Sequence, residues 1–286
     1  MTPDRVTAIS RRLRDLCEPI AGSVYFVPEA QQAYGELGFD NYAQSYFCSR
    51  GACLGHPSGE VVSAAFGVFN PAIVTAAVEE GWKKTDRDGV LAARERGAIA
   101  GLRRMLGESN PAPVVDILRP VMESVDYAGR TLFSGLRSLP FPDDPIAQLW
   151  RVCDYVRERR GDGHIAAWVS AGCDPIEIGL LTELFWRMGM GTYIRTRGWS
   201  QDEIDAAIGR LEAKGHVRDG AFTDQGRAYR RAIETATDEM EGPVVEAIGD
   251  PDELFALLEP VQKAVLDGGG YPVDPARTMS ADERDE

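Results

Sequence analysis

The residues best suited to chemistry lie between Arg157 and Glu177, in RERRGDGHIAAWVSAGCDPIE. Asp162 and His164 stand two residues apart there, each preceded by a glycine. A carboxylate beside an imidazole fixes its tautomer and raises its basicity, the minimum for a general base or an anion-binding element. The glycines free the backbone. The pattern predicts a helix break at Gly161–His164, with Asp162 capping a helix that restarts at about Gly163. Its competitor is a capped helix with a hydrogen-bonded, partly buried histidine.

Three other clusters are candidates. YFCSRGACLGHPSGE sets Arg50, His56 and Ser58 among glycines, and an arginine fork suits a carboxylate or phosphate. FGVFNP offers Phe66 and Phe69 as an apolar wall and Asn70 as a hydrogen-bonding amide. YIRTRGWS offers Arg197 and Trp199 for stacking or anion binding. Each competes with a structural role: an internal salt bridge, core aromatics with a helix cap, and a hydrophobic staple. Metal binding is not expected, because the three histidines (His56, His164, His216) have no metal-ligand spacing and no C-x-x-C occurs. No phosphate loop, dinucleotide fingerprint or Gly-x-Ser-x-Gly elbow is present, so no cofactor is expected either.

The elements that position these residues are mostly helical. Helical patterns cover Thr7–Leu16, the stretch from Pro28 to Leu37, NYAQSYFCSRG, the run after Ser58, the run after Pro71, and DGVLAARERGAIAGLRRMLG with Asp88 as cap. SLPFPDDP, with three prolines in eight residues, reads as a linker. Beyond it come a helix from Ile146 to about Arg160, a helix from His164 to Ala171, and a restart capped by Asp174 with Pro175 at its first position. Ser200 and Glu203 form a capping box ahead of the stripe Ile204, Ile208, Leu211, and Gly215 stops that helix. His216–Arg218 and Ala221–Thr223 flank Asp219–Gly220 as a tight hairpin, and a long helix starts near Thr223. Arginine, glycine-histidine, small-apolar helix and Asn/Asp-Pro recur in both halves, a pattern a duplicated helical unit would leave. The expected units are 1–137, a helical subdomain; 138–266, a second and related one; and 267–286, a disordered tail.

LEAKGHVRDGAFTDQGRAYRRAI resembles the winged-helix domain of the MarR superfamily, through Leu211, Glu212, Lys214, Gly215, Thr223, Gly226 and Arg227. Over its whole length the chain also resembles an actinobacterial helix-turn-helix family, through YFCSRGACLG, FGVFNP, RGDGH and TRGW. The first resemblance implies a mainly α fold with a small β-wing, a DNA-reading helix and, usually, a homodimer. The second family is named for its fold and implies no activity.

Charge argues against DNA. The chain carries −14, and Ser200 to Lys214 holds four acids against two bases, with three acids in the first two turns. A groove-reading helix presents those turns to phosphates, which acids repel. Arg218 and Arg227 on the wing are a thin basic footprint. An odd set of five cysteines suggests a reducing cytoplasm, and no apolar run reaches the roughly 18 residues of a membrane span. The leading expectation is a winged-helix scaffold binding a partly apolar, anionic small molecule between its halves, with Arg50 and Asn70 near Asp162 and His164. The alternatives are a cofactor-free enzyme with His164 as acid/base and Arg50 as anion clamp, and a MarR-like regulator.

Overall fold

The computed structural model describes residues 2–272. The chain runs through α1 (Pro3–Gly22), α2 (Pro28–Glu36), α3 (Tyr42–Gly51), α4 (Gly59–Phe66), α5 (Pro71–Trp82), α6 (Arg87–Leu106), α7 (Ala112–Ser124) and α8 (Thr131–Arg137). It continues with α9 (Pro145–Ser170), α10 (Pro175–Phe185) and α11 (Gln201–Ala213). The strands β1 (Val217–Arg218) and β2 (Ala221–Phe222) precede α12 (Asp224–Glu239), α13 (Gly242–Ile248) and α14 (Asp252–Asp267). The fold is mainly α with a small β-wing. The wing pairs Val217 with Phe222 and Arg218 with Ala221, antiparallel.

Local signals set many of these boundaries. Asp174 and Ser200 each close a capping box, with Glu177 and Glu203. Gly215 takes a positive φ of 74° after α11, and Thr223 accepts from Gly226 to start α12. Asp86, not Asp88, caps α6, accepting from Gly89 N–H at 2.8 Å.

One apolar cluster gathers residues from Leu13 to Val156 and recruits Val244 to Tyr271; a second, from Ala167 to Ile233, lies under the wing. The stretch 267–272 was expected to begin a disordered tail. Here Asp267 ends α14, Gly268 and Gly270 lie against Met105, and the Tyr271 ring fits where Gly22 lacks a Cβ. The remainder, 273–286, lies outside the described residues.

The helix that joins the two clusters overturns the predicted break. α9 runs 26 residues without interruption through Gly161–His164. Two glycines cost a helix only about 1 kcal/mol each relative to alanine, and burial along most of α9 exceeds that. Asp162 does not cap its own helix. Its carboxylate accepts from Phe133 N–H at 3.0 Å, in the first turn of α8. It is a cap supplied from another helix, where α8's preceding residue Arg130 makes no side-chain cap.

Asp154, Glu158 and Asp162 are spaced four apart on α9, and all three are buried. Arg94 donates to Asp154 at 3.1 Å and lies over the rings of Tyr25 and Trp150. Arg50 and Arg157 hold Glu158. What reads locally as an arginine-rich helix end is thus an ionic spine inside the protein.

The glycines of this spine differ. A Cβ on Gly163 would stand 2.0 Å from Arg130 Nη1, whose guanidinium donates to the Arg159 carbonyl at 2.8 Å. A Cβ on Gly161 would meet only Glu158 Oε2, at 3.9 Å. Gly163→Ala is therefore expected to lose about 1–3 kcal/mol, the range of overpacked sites. Gly161→Ala is expected to be neutral or to gain up to about 1 kcal/mol. Urea unfolding of both variants checks this, and equal effects would refute the close α8–α9 packing.

Candidate functional site

Two cavities flank Arg157. The larger, about 650 Å³, lies among α3, α5, α9, the turn after α1 and the 3-10 turn Ile194–Arg197. Its walls are aromatic. Tyr42 and Tyr46 sit one helical turn apart on α3 and stack at 5.7 Å. Phe47 and Phe69 meet edge-to-face at 5.0 Å, and Tyr46 tilts onto Phe69 at 5.6 Å. Arg197 lies over Tyr193 and Phe69, at 4.1 and 4.7 Å from the ring centres. Tyr271 closes one edge, its hydroxyl 3.0 Å from Glu18 Oε1.

The phenols of this cavity are not equivalent. Tyr42 is half-exposed, and its partial burial raises it above its ordinary 10.0. Burial also opposes ionisation of Tyr46, but the charges of Arg50, Arg157 and Arg197 outweigh it and bring Tyr46 below its ordinary 10.0. Arg50 Nη1 donates to the Tyr46 hydroxyl at 3.3 Å.

The smaller cavity, about 170 Å³, shares Glu18 and Arg157 with the first. Arg14, Arg50, Arg157 and Arg160 line it, and each is paired. Arg50 grips Glu158 with two bonds of 2.8 and 2.7 Å. Arg157 joins Glu158 at 2.5 Å and Glu18 at 3.2 Å. Arg160 reaches Glu234 at 2.6 Å and Asp238 at 2.8 Å, and Arg14 reaches Glu234 at 3.2 Å. Burial tends to raise Glu158, but Arg50 and Arg157 hold it down to about 2.

His164 also faces this cavity. Thr237 Oγ1 donates to the Ile233 carbonyl at 2.8 Å, so it accepts from His164 Nδ1 at 3.0 Å. Burial, reinforced by Arg230, lowers His164 to about 3. The ring is neutral at ordinary pH and is a weak proton acceptor.

The expected single pocket is split. Arg50 and His164 meet in the smaller cavity, whereas Phe69 and Arg197 line the larger one. Asp162 lines neither and faces α8. Asn70 caps α5, accepting from Ala72 N–H at 3.0 Å, while its own N–H donates to the Arg197 carbonyl at 2.9 Å. It braces the larger cavity without lining it. Phe66 packs under the Arg50 guanidinium at 4.3 Å. Trp199 Nε1 donates to the Val68 carbonyl at 3.0 Å, which ties the segment before α11 to the α4–α5 turn. His56 lies tilted against Trp82, ring centres 4.4 Å apart, away from both cavities. Sequence reasoning missed Tyr46, Tyr42, Arg157 and Glu158. The signal was present: tyrosines four apart in NYAQSYF and acids four apart from Asp154 to Asp162.

A family model described as a helix-turn-helix family matches residues 10–272. The chain belongs to that helix-turn-helix family. No curated protein and no solved structure matches it.

In this helix-turn-helix protein, α11 lies between α10 and the wing. Its first turn carries Asp202 and Glu203. Its two bases are engaged internally: Arg210 bonds Asp174 at 2.5 Å, and Lys214 bonds Glu177 at 2.7 Å. Arg218 and Arg227 are exposed on and beside the wing, Arg227 lying 5.8 Å over Phe222. Among the described residues, no helix is long and apolar enough to cross a membrane, and no group of three or more His, Cys, Asp or Glu could hold a metal. Burial pushes the thiols of Cys48, Cys53 and Cys173 up to about 12, which marks them as packing groups.

Proposed function

We propose that this helix-turn-helix protein binds a planar, partly apolar anion in the aromatic cavity, on a scaffold with little affinity for DNA. One observation carries the reading: a ligand-sized cavity combines stacked aromatic walls with the cations Arg157 and Arg197. Apolar pockets of roughly 300–1,000 Å³ with a few placed polar groups are the usual form of small-molecule sites. The acidic start of α11 supports the second half of the reading. Catalysis through His164 is disfavoured, because burial leaves the ring only weakly basic and its Nδ1 is hydrogen-bonded to Thr237.

The test uses 8-anilinonaphthalene-1-sulfonate, an aromatic anion that fluoresces when desolvated. The protein is expected to bind it at one site. Ala43→Trp, which fills the cavity from α3, is expected to abolish binding. Arg157→Met is expected to weaken it about tenfold, the effect of losing one charged hydrogen bond. Binding that survives Ala43→Trp unchanged would place the dye elsewhere and refute the reading. Family membership favours a second reading, a DNA-binding regulator. Tight, steeply salt-dependent binding of DNA from upstream of the gene, above a random-DNA control, would establish that instead.

A further inference from the structure

The hydrogen-bond inventory of the aromatic cavity specifies more than charge. Arg157 spends Nε on Glu18 and Nη1 on Glu158, and only Nη2 has no protein partner among the described residues. One nitrogen of each of its two forks, Nε/Nη2 and Nη1/Nη2, is thereby already engaged by a protein carboxylate. Arg50, behind it, uses Nε and Nη2 on Glu158 and points Nη1 at Tyr46. The Tyr46 oxygen therefore accepts from Arg50, and its own proton has no acceptor among the described residues. Both Tyr46 and Arg157 line the larger cavity. Two single donors converge on a chamber walled by rings.

We propose that Tyr46 O–H and Arg157 Nη2–H clamp one ionisable oxygen of a planar aromatic ligand, a phenol or enol, which binds as its anion. This rests on the ligand reading above and narrows it from any apolar anion to one with a single anionic oxygen. Two single donors match one oxygen bearing several lone pairs, whereas a carboxylate leaves its second oxygen poorly served. Arg50 polarises the Tyr46 hydroxyl, which strengthens it as a donor to an oxyanion. The lowering of Tyr46 by its arginine neighbours agrees with that.

The probe is 7-hydroxycoumarin, whose phenol and phenolate absorb at different wavelengths. Its bound form is expected to ionise at least tenfold more readily than free probe. Tyr46→Phe, which keeps the ring stack, is expected to lose most of that shift and to weaken 7-hydroxycoumarin toward the affinity of its methyl ether. 7-Methoxycoumarin, which cannot ionise, is expected to bind the wild-type protein at least tenfold more weakly. An unchanged shift in Tyr46→Phe, or equal binding of the two coumarins, overturns the proposal. So does failure of 7-hydroxycoumarin to bind while the naphthalene sulfonate binds and Ala43→Trp excludes it; the broader ligand reading then stands. If neither probe binds, both fall.

Discussion

Glu158→Gln is expected to lower stability by about 3–5 kcal/mol, the cost of stranding a buried charge partner. Glu158 is 2% exposed and receives Arg50 through two bonds and Arg157 through a third. The amide keeps the shape but removes the charge that compensates two desolvated guanidiniums. It also offers one oxygen where three donors converge. Arg157 still has Glu18, which is part-exposed, so the larger loss falls on Arg50.

A second variant separates charge from packing. Arg50→Met combined with Glu158→Gln removes the unpaired cation and leaves an apolar chain on the Phe66 face, where the guanidinium now lies at 4.3 Å. The double variant is expected to be more stable than Glu158→Gln alone, because replacing a whole buried pair by apolar groups is often near neutral. Urea unfolding at pH 7.5 of the wild-type protein, Glu158→Gln, Arg50→Met and the double variant measures the coupling. A loss below about 1 kcal/mol in Glu158→Gln would show the spine to be hydrated and weak. The consequence reaches the cavity, since Glu158 fixes the Arg157 guanidinium on the shared wall.

Much of the wing half was legible because its signals are local. Capping boxes at Asp174 and Ser200, the stop at Gly215 and the Asp219–Gly220 turn each act within a few residues. α9 was illegible for the opposite reason. Gly161 and Gly163 argue for a break on propensity, and only the approach of Arg130 explains why Gly163 must be bare. Asp162 looked like a cap and is one, but for a helix 29 residues earlier. α7, α13 and α14 carry Pro120, Pro243 and Pro260, which interrupt the helical pattern, and α8 is only seven residues long, too short to show a period. The site divides the same way. Phe69, Arg197, Arg50 and His164 could be singled out by type, but the cavities that hold them need α3, α9 and the turn before α11 assembled. Tyr46 is marked in sequence only by its spacing from Tyr42, and its character comes from three arginines of separate segments.

Relative to the wild-type protein, Asp162→Asn and His164→Asn are expected to tilt the pH dependence of stability in opposite directions between pH 5 and 7. Burial, opposed by the Phe133 N–H, raises Asp162 from its ordinary 3.8 to about 7. Between those values the folded state holds a proton the unfolded chain has released, so its contribution is full below 3.8 and is lost as pH rises through 7. His164 is lowered from 6.5 to about 3, so between those values the unfolded chain holds the extra proton. Its contribution is full above 6.5 and is lost as pH falls toward 3. The two slopes oppose each other within two residues of one helix. Asp162→Asn keeps an acceptor for Phe133 N–H and removes the acidic slope, so stability should rise by about 2 kcal/mol from pH 5 to 7. His164→Asn keeps a donor for Thr237 and exposes the Asp162 slope, so stability should fall by about 2–3 kcal/mol over the same range. His216, lowered by burial and by Lys214, acts with His164, and Asp154 and Glu183, raised by burial, act with Asp162; all are common to the three proteins. Urea denaturation at half-unit pH steps reads these slopes. Parallel curves for Asp162→Asn and the wild-type protein would mean that Asp162 is ionised in the folded protein, with α8 capped by a full charge rather than by a protonated acid.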